Sequence, residues 1–201
     1  MLFAVALGLI GLTSCEKSNG SVSSGVSSGG SGNESKSAVS LLDDVIGQEY
    51  ASAKKAVEKF GIPFWEGNGD EYVFMDGESD TSVPVVRLFV ANGSVYRATY
   101  ELENAGNVAS CDKIITTWLN KLNNHKIGEH NVYFTYATNE AEKIVDFSKL
   151  PNFIKNSIDC NVYFNVGEEN PIGHIIINKE YEDNTSSEDF YWSILTYEWK
   201  N

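Results

Sequence analysis

The chain is poor in the residues that most often carry chemistry: three cysteines, three histidines, two methionines and four prolines among 201 residues. Three cysteines are too few for a disulfide-built scaffold. His125, His130 and His174 never fall at the i, i+4 spacing of a helical zinc motif, so they read as solvated or capping side chains. There is no Gly-x-Ser-x-Gly elbow, phosphate-binding Gly-Lys loop or dinucleotide fingerprint. Positive charge is also scarce, with 15 basic residues against 28 acidic ones and a formal net charge of −13. That balance argues against nucleic-acid binding and against direct adsorption to anionic lipid. No apolar run approaches the roughly 20 residues that a membrane-spanning helix needs.

What is present begins with an uncharged apolar run, Met1 to Leu12, that passes through Leu12-Thr13-Ser14-Cys15 into polar sequence, with no charge before Glu16. Its length fits the h-region of a cleaved signal. The pattern resembles the lipobox of bacterial lipoprotein signal peptides. The resemblance implies that residues 1–14 are removed and that the Cys15 thiol is acylated, fixing the chain to a membrane through lipid. Residues 15–37 then read as the lipidated cysteine and a tether, because Ser18 to Ser37 is almost wholly Ser, Gly, Asn and Val, a composition that buries too little surface to fold. About 20 such residues span roughly 25 Å. Leader and tether together resemble those of Bacteroidota lipoproteins, which implies a cell-envelope address, with the outer membrane, on its periplasmic or surface side, favoured.

The remaining segment, 38–201, is long enough for one domain or two small halves sharing a core. Apolar residues from Leu41 recur at helical spacing across an interruption at Gly47, predicting a short turn or helix and then a helix from Tyr50 to Phe60 closed by Gly61 and Pro63. Phe64 and Trp65 are read into the following turn region. Strands are predicted at Glu71 to Met75, Val83 to Ala91 and Ser94 to Glu103, the last two joined by an Asn92-Gly93 hairpin. A second helix, Val108 to Leu122, carries Cys111, Ile114, Ile115, Trp118, Leu119 and Leu122 on one stripe. Strands at Asn131 to Thr138, Asn161 to Val166, Gly173 to Tyr181 and Phe190 to Lys200 follow, interrupted by a short helical stretch at Leu150 to Asn156.

This order predicts an α+β body with helices packed on one face of antiparallel sheet. The stretch Tyr72 to Glu78 is like Val162 to Glu168, and each half runs from helix into meander. Residues 38–104 and 105–201 are therefore read as a tandem duplication of one helix-plus-β-meander unit. The segment Val45-Ile46-Gly47-Gln48-Glu49-Tyr50, with Lys54 to Val57 and the closing Phe60-Gly61-Ile62-Pro63, resembles the SmpA/OmlA lipoproteins and the tandem-repeat β-lactamase inhibitory proteins. That resemblance implies a helix flanked by glycine and Gly-x-Pro ahead of an antiparallel meander; the matching positions are structural, and no binding residue follows from them.

Candidate sites are few. Cys111 and Cys160 are an even pair once Cys15 is consumed, either bridged in an oxidising compartment or left as small buried thiols. The carboxylate run Asp76-Gly77-Glu78-Ser79-Asp80 lacks the glycine and bidentate glutamate of an EF-hand and reads as a polar loop, so neither metal nor cofactor is expected. Aromatic side chains are the better candidates: Phe64 and Trp65, and on the last strand Tyr191, Tyr197 and Trp199, displayed if the other face of that strand packs the core. The expectation is a lipid-anchored binding or scaffold module with a protein partner and no catalysis. Alternatives are a glycan- or peptide-binding lipoprotein and a small hydrolase with an unrecognised site. A flat exposed patch favours the first, a deep cleft the second, and convergent carboxylates or a Cys-His contact in a cleft the third.

Overall fold

The computed structural model describes residues 37–77, 83–105, 107–183 and 189–200, and residues 34–201 cluster as one compact unit. Residues 1–14, expected to be a signal peptide, Cys15, all of the expected tether but Ser37, and Glu78 to Asp80 of the carboxylate run lie outside the described residues.

Among the described residues four α-helices form where the apolar stripes run. Helix α1 (Ala38–Val45) starts at Ser37, whose hydroxyl accepts the Ser40 N–H at 3.3 Å. It begins three residues ahead of the expected Leu41 because Ala38 and Val39 are buried along with Leu41, Leu42 and Val45. Helix α2 (Tyr50–Phe60) stops at Gly61, which takes a φ of 106° and donates its N–H to Val57 and Glu58, a backbone state that costs glycine little. Helices α3 (Val108–Leu122) and α4 (Leu150–Asn156) have the bounds read from the sequence.

Among the described residues ten strands make one antiparallel sheet: β1 (Phe64–Gly67), β2 (Glu71–Phe74), β3 (Val85–Ala91), β4 (Ser94–Ala105), β5 (Lys126–Ile127), β6 (His130–Thr138), β7 (Lys143–Ile144), β8 (Cys160–Val166), β9 (Gly173–Glu182) and β10 (Phe190–Trp199). The order is β1-β2-β3-β4-β10-β9-β8-β6-β5, with β7 on β6. The final strands of the two halves, β4 and β10, pair at the centre and the meanders run outward. This places β2, which holds Tyr72, and β8, which holds Val162, each two strands out from that centre. Phe64 and Trp65 are not in a turn as expected. They open β1, which pairs with β2, and the chain reverses later, where the Asn68 side chain accepts the N–H groups of Asp70 and Glu71.

All four helices lie on one face of the sheet. The core between them joins Leu41, Leu42, Val57, Ile115, Leu119 and Leu122 to Leu88, Ala98, Phe164, Ile175, Ile177 and Leu195, and burying each large aliphatic is worth about 1.5–3 kcal/mol. The turn at Gly47 fastens the two N-terminal helices to the β3–β4 hairpin: the Gly47 N–H donates to Val95 O at 2.8 Å, Val95 N–H to Gln48 O at 2.9 Å, and Tyr50 N–H to Gly93 O at 2.9 Å. The hairpin itself has Asn92 and Gly93 at positive φ, as its sequence required.

Candidate functional site

Register decides which side chains share the face that none of the described helices covers. Ser193 and Lys179 bond to residues of α3, and Tyr100 packs on Trp118, so the neighbours of opposite parity point away from the helices. On that open face Tyr136, Tyr163, Ile176, Thr196, Thr99 and Arg87 form one row across six strands. The Tyr136 and Tyr163 rings stack with centroids 4.6 Å apart, and the Lys143 ammonium lies 3.9 Å over Tyr136. Arg87 donates to Glu101 at 3.0 Å and to Glu71 at 3.2 Å, while the Thr99 hydroxyl donates to Glu101 at 2.9 Å. Asn178 donates to Asn161 one row away. Long side chains crowd the middle of the face enough that Thr99 and Thr196 are buried without any helix above them.

Toward one end of the same face, Trp192 of β10 pairs with Glu180 on one side and Glu103 on the other, and Phe190 follows in the next row beside Glu182. Burial, reinforced by Glu182, pushes the Glu103 carboxyl above its ordinary value. Burial, then Asp159 and Glu101, does the same to Glu180. Oxygen Oε1 of Glu103 is buried with no hydrogen-bond partner.

The aromatic residues chosen from the sequence do not form one group, although Tyr197 and Trp199 stack with ring centroids 6.5 Å apart. Tyr197 is fully buried on the helix side, and Tyr191 and Trp199 share that side. This overturns the expectation that these three are displayed; the members of β10 on the open face are Phe190, Trp192, Ile194, Glu198 and the buried Thr196. Trp199 is packed over Gly47 and Gly173, where an added Cβ would collide with its ring. Tyr191 meets Tyr181 at 5.2 Å between centroids. Phe64 and Trp65 are exposed at 38% and 54%, but they sit on the edge strand, four places from β10. There Phe64 packs edge-on to Phe74 with the Lys54 ammonium 4.2 Å away, and Trp65 covers Gly77.

On the helix side a polar row lies under α3 that the sequence reading missed. Cys160, Lys179 and Ser193 are register neighbours on β8, β9 and β10. The Lys179 side chain is completely buried, and its ammonium donates to Asp112 at 2.6 Å and to the Ile154 carbonyl at 3.1 Å. Ser193 donates to the Cys111 sulfur at 3.1 Å and accepts from Asn104 at 3.1 Å. A lysine at an inward position of the alternation Ile175, Ile177, Lys179 was the available signal. Cys111 and Cys160 are free, buried thiols, so the disulfide alternative gives way to the buried one. Burial pushes the Cys160 thiol up to about 12 and raises that of Cys111 as well. Both stay protonated at neutral pH, which makes them packing groups rather than nucleophiles.

The histidines depart in part from the expectation of solvated or capping side chains. His125 contacts Asp43 of α1 at 2.9 Å, His174 contacts Asn165 at 3.0 Å on the open face, and His130 is exposed at the start of β6. Among the described residues no group of three or more His, Cys, Asp or Glu side chains could hold a metal ion, and no helix is long and apolar enough to cross a membrane. The cavities are wide open to solvent: about 230 Å³ beside Glu66, Glu71 and Arg87, about 380 Å³ between α3 and α4 with Asp112 and Lys155 in its wall, and about 480 Å³ beside Asn139 and Asn156. No protein-family model matches the chain, and comparison with curated proteins and with solved structures gave no match.

Proposed function

We propose that this chain is a lipid-anchored binding module of the cell envelope, which recognises a protein partner across the open face of its sheet and performs no catalysis. The observation that carries the reading is the uncovered face. Its main path holds eight strands from β1 to β6, about 34 Å across at the usual strand spacing, and with about 20 Å of strand length it offers roughly 700 Å². A standard protein interface takes about 800 Å² from each partner. The side chains there combine aromatic and aliphatic groups with polar ones, the mixture found at interfaces that form and dissociate. The cavity of about 230 Å³ beside Glu71 and Arg87 on this face is small and open, which favours a protein surface over a ligand that must be enclosed.

The address rests on the lipobox resemblance at Cys15 and on the Ser/Gly-rich tether behind it. The mirrored strand order, with the like segments of β2 and β8 in matching places, supports reading the halves as duplicated units. Two measurements test the proposal. Intact mass of the protein from its native membrane fraction is expected to show an acylated Cys15 at a new N-terminus, absent in Cys15→Ala; an uncleaved, unlipidated chain would overturn the address. A photo-crosslinking residue at Ile176 is expected to capture a partner that the same residue at Lys113, on the helix side, does not. Equal capture at both positions would remove the open face as the binding surface.

A further inference from the structure

This inference rests on the open face being the protein-binding surface and concerns what one end of it recognises. Phe190 and Trp192 lie in consecutive rows of that face on β10, walled by Glu180 and Glu182 of β9 on one side and by Glu103 of β4 on the other. The backbones that carry Glu103 and Glu180 stand two strand spacings apart, about 10 Å, with the indole between them. An aromatic plane between two carboxylates is complementary to a planar cation: the ring faces attract it and the carboxylate oxygens accept its N–H groups. We infer that this trough receives an arginine side chain from a basic segment of the partner.

The local charges leave that position open. Glu101, the next carboxylate along β4, is bound by Arg87, and Arg87 is itself shared with Glu71. Arg97 lies over Phe89, 5.1 Å from the ring centroid. Among the described residues Glu103 and Glu180 have no cation at ion-pair distance, and Glu103 Oε1 accepts no hydrogen bond. The other charged groups near them, Glu182 and Asp159, are also acidic. The chain as a whole carries −13, so a basic partner is drawn to it over distance as well as on contact. Arginine is favoured over lysine because its flat guanidinium can lie on the Trp192 ring while its fork meets carboxylates at the sides.

The test uses a synthetic peptide of alternating arginine, glycine and serine, its lysine counterpart, and an isosteric neutral control in which citrulline replaces arginine. Binding to the full chain is followed by calorimetry at low ionic strength, and the Trp192 indole signal is assigned with Trp192→Phe. The arginine peptide is expected to bind, the citrulline peptide is not, and the lysine peptide is expected to be weaker. Glu103→Gln with Glu180→Gln should weaken the arginine peptide by about tenfold or more, and added salt should weaken it further. Thermal unfolding of the glutamine variants shows that they are folded, since the changes keep side-chain shape. Equal binding of arginine and citrulline peptides, no binding of the arginine peptide, or unchanged affinity in the double variant would each overturn the inference. So would a neutral oligosaccharide that shifts the Trp192 signal equally with and without the carboxylates. If the Ile176 crosslink to a partner persists in any of these cases, the open-face reading stands and only the arginine site falls; loss of that crosslink is the separate failure of the reading itself.

Discussion

Replacing Asp112 with alanine should destabilise the protein far more than replacing Lys179 with methionine, although both changes break the same ion pair. The Lys179 side chain is fully buried and its ammonium has two acceptors, Asp112 and the Ile154 carbonyl, whereas the Asp112 side chain is 21% exposed. Removing Asp112 leaves a buried charge with one neutral acceptor, a situation that costs about 3–5 kcal/mol. Water reaching the vacated space from the open α3–α4 cavity brings the expected loss to the lower end, near 3 kcal/mol. Lys179→Met keeps the aliphatic stem and removes the charge, while Asp112 turns to solvent. Its cost should be about 1 kcal/mol, mainly the lost bond to Ile154. For a unit of this size each kcal/mol shifts Tm by roughly 2–4 °C, so the two variants should separate by several degrees. Urea and thermal unfolding followed by circular dichroism measure both. The double variant should resemble Lys179→Met rather than the sum of the singles, because its second change removes the stranded charge. A larger loss for Lys179→Met than for Asp112→Ala, or strict additivity, would refute the reasoning.

Other consequences follow from the same packing. The Tyr197 hydroxyl is buried against the Asp43 carboxylate, its polar neighbour, so Tyr197→Phe should cost about 1 kcal/mol, whereas Tyr197→Ala should remove about 3–5 kcal/mol. The folded chain holds the Cys160 proton up to about 12, while an ordinary thiol releases it near 9.0. The resulting stability is complete below the lower value and is lost as pH climbs through the higher one. Urea midpoints should therefore fall as pH rises from about 9 toward about 11, and less steeply in Cys160→Ala; equal slopes would contradict the assigned burial. Gly173→Ala should lower Tm measurably, because a Cβ there runs into the Trp199 ring and the Glu198 carbonyl. An unchanged Tm would show that Trp199 is not packed as described.

How legible each part was in the sequence depended on how one-sided its pattern is. Helix α3 was readable to its ends because Cys111, Ile115, Trp118, Leu119 and Leu122 make a single buried stripe and Asn107 caps it, accepting the Ser110 N–H. The β3–β4 hairpin was readable because Asn92 and Gly93 tolerate positive φ. Strand β10 was readable as a strand but not as to which face packs inward. Both of its faces carry aromatic and aliphatic residues, and a choice one residue out moves every side chain to the other face. Its neighbours held the answer, since Arg97, Thr99, Glu101 and Glu103 on β4 share one face with His174, Asn178 and Glu180 on β9. Strand β1 was hidden by its shortness and by the turn signal at Asn68-Gly69. The Lys179 row joins residues from helix α3 and three strands, separations that no local pattern reports. The placing of Trp192 between Glu103 and Glu180 depends on that same long-range register.

The central claim is that the uncovered face of the sheet is the binding surface. The most direct measurement is hydrogen exchange on the full chain, with and without the partner recovered through the Ile176 crosslink. The account expects new protection in β9, β10 and β4, and loss of the complex when Tyr163 and Ile176 are changed to aspartate in chains that remain folded. Protection confined to α2, α3 and α4, with the complex unaffected by those two changes, would contradict it.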